Sequence, residues 1–217
     1  MIVARVDPPG GILLAAPVRG LAAESGRLLG ELAAYDPRAI GLGVSAEELR
    51  SLTNYFVTSE SEPVVPLTEN EASEVRGLVR FGEVRVPNPS VVETLRFAAD
   101  RHLAVEALDP SDERAASLFT EHIGYVELVR RTVAERRIGR NPPAPSSPDE
   151  FALTWDGEVA GGRGSRAFAQ ARDRHLARAA AQLAREQGRI AVVVDRERFD
   201  SVRALLARPA SAVLADE

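Results

Sequence analysis

Residues 172–208 read RDRHLARAAAQLAREQGRIAVVVDRERFDSVRALLAR, and this stretch decides the fold. It predicts a helix, a short buried strand over Ile190–Val194, an abruptly charged turn (Asp195-Arg196-Glu197-Arg198) and a second helix. An apolar strand flanked by two helices belongs to a sheet covered on both faces. The expectation is an α/β protein: a single three-layer domain with a mainly parallel central sheet flanked by helices. Ligands of such sheets sit outside the carboxyl ends of the strands, which puts Asp195–Arg198 where a site should be sought.

Working outward, the same alternation recurs. Met1–Val6 alternates like a short strand and stops at the turn-forming DPPGG of residues 7–11. Ile12–Ala16 reads as a buried strand ended by Pro17, and Leu21, Leu28, Leu29 and Leu32 place a helical stripe over 21–35. Asp36-Pro37 ends that helix and Ala39–Val44 is the next strand. Ser45 with Glu48 three residues on forms a capping box for the helix that follows.

Residues 59–67 are polar and interrupted by proline, a loop or edge strand. Thr68 or Asn70 caps a helix to about Val79, and Glu83–Val86 is expected as another edge strand. A helix over Val91–His102 precedes a strand over Leu103–Leu108 that ends on Asp109-Pro110. Helix and strand alternating at this spacing argue for parallel crossovers. Residues 112–140 form a helical segment, one long helix or a pair, and residues 141–150 a Pro/Ser-rich loop. A Gly-rich run, GGRGSR at 161–166, opens the last long helix, and the tail SAVLADE is expected as a final edge strand. All 217 residues are assigned to one domain, since the part after the loop is too short for a second core.

Composition narrows the chemistry. With 45% hydrophobic and 27% charged residues the chain is that of a soluble globular protein. There are no cysteines, which excludes disulfides, thiolate nucleophiles and thiolate-bound zinc. All 27 basic residues are arginine, so a lysine Schiff base and the lysine-bearing phosphate loop are excluded too; GC-rich codon usage accounts for the bias. A net charge of −5 argues against nucleic acid as a partner. No apolar run approaches the ~20 residues of a membrane span. No signal-peptide pattern opens the chain. The expected address is cytoplasmic, with no membrane contact.

Three segments together resemble the TraB/PrgY family, whose fold belongs with the erythromycin-esterase-like and ChaN-like proteins. They are LLAAPVRGLAAESGRLLGELAAYDPRAIGLGVSAEELRSL (13–52), PSVVETLRFAADRHLAVEALD (89–109) and Arg172–Leu206. In the last, Arg172-Asp173 matches the family's Arg-[Asp/Asn] pair and Ile190–Val194 its strand. The departures matter more. Where the family carries Gly-Thr-x-His this chain has Ala15-Ala16-Pro17-Val18, and where it carries the Glu of Glu-Leu-Asp this chain has Gly41-Leu42-Gly43. Where it carries Gly-Ala-Gly-His, Asp195-Arg196-Glu197-Arg198 stands instead. The resemblance therefore implies a member without the family's histidines and their acidic partner.

The residues leave a few sites to weigh. His102, His122 and His175 fall in helical patterns with no paired spacing, which argues against a histidine metal centre. Asp109 and Asp195 end predicted strands, and with Glu197 they could form an oxygen-only site or simply act as turn formers and caps. GGRGSR, with Arg163 and a Ser N-cap, could hold a small anion at a helix start or be an ordinary capped loop. Arg19 and Arg172 could enter the same crevice or pair with nearby carboxylates. The five arginines within 130–140 suit a helix end better than a nucleic-acid surface. No nucleophile elbow is present.

The sequence thus favours a non-catalytic, TraB-like ligand-sensing or protein-interaction module. Its expected ligand-binding residues are Arg19, Asp109, Arg163, Arg172, Asp195 and Glu197. A homodimer or protein partner and a small anionic ligand are the expected company, with no cofactor and no metal. Two alternatives are a metal-dependent hydrolase rebuilt from carboxylates and arginines, and an anion-binding module on 161–166.

Overall fold

A computed structural model describes residues 1–6, 11–58 and 69–208, of which 55–58 and 69–70 as backbone alone. Asn70 lies inside the helix Glu69–Leu78 rather than capping it, and the readings placed on the turn at 7–10, on 59–67, on the Thr68 cap and on the SAVLADE tail lie outside the described residues. Within them, five strands form one sheet in the order β1-β2-β5-β3-β4. They are β1 (Ile2–Val6), β2 (Ile12–Ala16), β3 (Ala39–Leu42), β4 (Ala104–Ala107) and β5 (Ile190–Val193). β2, β5, β3 and β4 run parallel; β1 pairs antiparallel with β2 at the edge. The expected α/β class with a mainly parallel sheet is what the chain adopts.

The opening stretch shows why. On β5, Ile190, Val192 and, just beyond it, Val194 pack against α8 (Arg163–Gln187) and α9 (Phe199–Leu206), joining Leu176, Ala180, Phe199 and Val202. Ala191 and Val193 face the other way, into a layer with Leu28 and Leu32 of α1 (Ala22–Tyr35) and with Val91 and Ala98 of α4 (Pro89–Asp100). Successive strand side chains alternate between faces, so a strand apolar throughout requires helices on both. The alanines of α8 let that 25-residue helix lie close to the sheet.

A third cluster caps the carboxyl edge. Val18 and Leu21, just after β2, meet Leu78 at the end of α3 (Glu69–Leu78), Ile138 of α6 (Tyr125–Arg140) and Phe151, Trp155 and Val159 of α7 (Pro148–Val159). Phe151 is fully buried and stacks on Trp155 with ring centroids 5.5 Å apart. Gly77 leaves the room its ring occupies, because a Cβ there would collide with it.

Several boundaries differ from expectation. Residues 83–86 form no strand; Val84 makes a single bridge to Leu21. Residues 112–140 are a pair, α5 (Asp112–His122) and α6, and α7 begins at Pro148, inside the expected loop. Ser147 accepts a hydrogen bond from the Glu150 amide at 3.2 Å, so the SSPDE run is a helix start, with proline at its first position. α4 stops at Asp100, and His102 lies past its end in the left-handed region (φ 55°). α2 (Ala46–Thr58) begins where the capping box predicts. Ser45 Oγ accepts from the Glu48 amide at 3.1 Å, while the Glu48 carboxylate borders a cavity. No helix among the described residues is long and apolar enough to cross a membrane.

Candidate functional site

Four parallel strands deliver their carboxyl ends to one edge. From it emerge Pro17–Gly20 after β2, Gly43–Ser45 after β3, Asp109 after β4 and Asp195–Arg198 after β5. The expected crevice residues Arg19, Asp109, Asp195 and Glu197 all gather here, and Arg172 reaches the edge from α8.

Asp109 is not free. Its side chain is 4% exposed and takes ion pairs from both Arg172 and Arg198. Arg198 Nη2 lies 2.8 Å from Asp109 Oδ1, and its Nε lies 2.8 Å from Asp173 Oδ1. Burial works against the Arg198 charge, but the two aspartates outweigh it and raise its pKa. The clamp ties the end of β4 to α8 and to the turn after β5. In that turn Arg196 is also committed: it is buried and donates to Asp149 of α7 at 2.9 Å. Both arginines of the charged turn are thus structural, and its two acids remain. Burial, then the neighbouring Asp195 charge, pushes the Glu197 carboxyl up to about 8.

Where a polar site could have opened in β3, the space is filled. A Cβ on Gly41 would collide with the Leu108 side chain, and one on Gly43 would come within 3.2 Å of Val194 Cγ1. Val18 is 1% exposed inside the apolar cap. The described residues contain no group of three His, Asp or Glu placed to hold a metal ion. His122 ends α5, His102 lies beyond α4, and burial first lowers the pKa of His175 on α8.

What the edge does hold is a cavity of about 200 Å³, bordered by Arg19, Glu48, Glu74, Asn88 and the apolar Leu52, Val75, Leu78 and Val84. Arg19 is exposed to it and makes no ion pair among the described residues. Carboxylates nonetheless surround it: Asp195 most strongly, then Glu74, Glu48 and Glu197, and together they raise its pKa. Burial raises both Glu48 and Glu74, and Arg19 opposes the rise in each. Sequence reasoning singled out Arg19 but missed Glu74, which sits on an amphipathic helix with nothing in its spacing to set it apart. Glu48 was read only as a cap.

The Gly-rich loop has a different outcome. Gly162 is the N-cap of α8, and Ser165 lies inside its first turn rather than capping it. The Gly164 and Ser165 amides donate to the two carboxylate oxygens of Glu127 on α6, at 2.8 and 2.5 Å. These hydrogen bonds hold the Glu127 carboxyl below the usual range. The helix start therefore already carries an anion, one supplied by the chain itself. Arg163 is exposed and borders neither the edge cavity nor the larger groove of about 500 Å³ between α6 and the start of α8.

No protein-family model matches the chain. No curated protein matches it either.

Proposed function

We propose that this chain is a TraB-like domain that has lost catalysis and works as a small-molecule sensing module, its ligand lying in the carboxyl-edge cavity beside Arg19. One observation carries the reading: the edge offers an uncommitted guanidinium at the mouth of a cavity, while Asp109 is clamped by two arginines. The positions at which the resemblance would place histidines hold Val18, buried in the apolar cap, and Arg198, inside the clamp. The position of the family's glutamate holds Gly41, whose space Leu108 fills. A metal-dependent hydrolase needs converging oxygen ligands, and a clamped Asp109 can supply one only by giving up its ion pairs with Arg172 and the buried Arg198.

The test is amide chemical-shift mapping of the full chain against small carboxylates, amines and amino acids. Shifts confined to Arg19–Gly20, Leu52, Val75 and Val84 support the reading. Hydrolysis of an ester or amide substrate that requires Asp109 or Asp195 overturns it.

A second reading, a protein-interaction module, is favoured by the outer face of α6. Tyr125, Val126, Val129 and Val133 recur at helical spacing there and are 81, 73, 46 and 61% exposed. Sedimentation velocity decides whether a second copy covers this face: a dimer abolished by Val129→Asp supports it, and an unchanged sedimentation coefficient removes it.

A further inference from the structure

We infer that the ligand class of the carboxyl-edge cavity is an aliphatic α-amino acid, its carboxylate on Arg19, its ammonium between Glu48 and Glu74, and its side chain against Val75, Leu78 and Val84. The inference rests on the sensing reading above and adds the chemistry of the ligand.

Size comes first. A cavity of about 200 Å³ has room for about seven waters at their liquid volume, below the range of drug-sized sites. Nucleotides and sugar chains are too large for it, and an amino acid fits. Charge comes second. The wall carries a cation with no ion pair among the described residues, so an anionic group can reach it without breaking an existing pair. Three carboxylates line that wall, Glu48, Glu71 and Glu74, against Arg19 and an Arg85 already paired with Glu83, so the cavity as a whole is acidic. A plain anion would meet this excess of negative charge, and a plain amine would leave Arg19 unanswered. A zwitterion answers both, and charge-assisted hydrogen bonds at each end fix its direction.

The third point is polarity. Leu78 is 2% exposed, and with Val75 and Val84 it gives one side of the cavity a branched apolar surface. That surface suits a branched hydrocarbon side chain rather than a hydroxyl or a third charge. Desolvation of Glu48 and Glu74 supports the assignment: burial already disfavours their ionised forms, and a bound ammonium would relieve that cost.

Three probes separate the contributions: L-leucine, isovalerate (the same carbon branch with the carboxylate alone) and isopentylamine (with the amine alone). Each is titrated into the full chain by amide shift mapping, with the spectrum itself reporting that every variant is folded. The expected result is saturable binding of leucine at Arg19–Gly20, Val75 and Val84, tighter than either half-molecule. Arg19→Gln should weaken leucine by about tenfold or more and leave isopentylamine unchanged. Glu74→Gln should weaken leucine and isopentylamine and leave isovalerate unchanged. If a half-molecule binds as tightly as leucine, the zwitterion assignment fails while the sensing reading stands. If no probe moves the cavity amides, both fail.

Discussion

Arg198 Nη2 lies 2.8 Å from Asp109 Oδ1, and this contact makes the carboxyl edge a braced structure rather than an open set of ligands. Asp109 follows β4, Arg198 follows β5, and Asp173, which shares the same guanidinium, belongs to α8. One ionic cluster therefore closes the sheet against the helix layer at the place where an α/β enzyme would keep its reactive groups exposed.

Breaking that brace should be costly. Asp109→Ala leaves the buried Arg198 with only Asp173 and strands Arg172, and a lost buried partner costs about 3–5 kcal/mol. Chemical denaturation should show a loss of that order. A change below about 1 kcal/mol, the usual value of an exposed pair, would show that the clamp does not form.

Leu108 should prove to be the reason residue 41 is glycine. Gly41→Val forces its side chain into space Leu108 occupies, and overpacking of this kind costs about 1–3 kcal/mol. Adding Leu108→Ala should recover part of the loss. Thermal melts of the two single variants and the double variant measure it, and a Gly41→Val protein as stable as the parent would contradict the packing.

The start of α8 should bind an external anion only after its internal one is removed. Glu127→Ala frees the Gly164 and Ser165 amides and should lower Tm. Sulfate should then restore more stability to the variant than it adds to the parent. Equal responses in the two proteins would show that Glu127 does not fill the site.

Glu197 gives stability a pH dependence of predictable sign. Its carboxyl ionises near 4.5 when unfolded but is held up to about 8 by burial and by Asp195. Between those values the folded chain keeps a proton that the unfolded chain releases, so stability falls as pH rises. The contribution is complete below about pH 4.5 and lost as pH passes about 8. Glu197→Gln should flatten the fall in Tm between these limits and be the more stable protein at pH 9. Parallel Tm profiles would contradict the raised value.

Much of the frame is legible in the sequence because period and punctuation are local. Ile190–Val193 and Ile12–Ala16 are apolar on both faces, and this alone calls for a covered, largely parallel sheet. The misreadings arise where a distant contact decides. Gly162–Ser165 reads as an empty anion cradle until Glu127, on another helix, is seen to occupy it. Residues 83–86 alternate like a strand, but their backbone pairing with 20–22 is a single bridge, closed by Ala22 N donating to Glu83 O and Arg85 N to Gly20 O. Asp109 reads as a ligand, since no sequence spacing reveals that Arg198, 89 residues away, will bind it. The cavity was half legible: Arg19 follows a strand end, whereas Glu74 comes to it by tertiary packing of α3.

The most direct test of whether this edge is a braced binding site rather than a metal centre is an amide spectrum of the full chain titrated with Mn²⁺, whose unpaired electrons broaden nearby signals. The predicted result at substoichiometric Mn²⁺ is no localised broadening around Asp109, Asp195 and Glu197. Selective loss of those signals, abolished by Asp109→Asn, would contradict it.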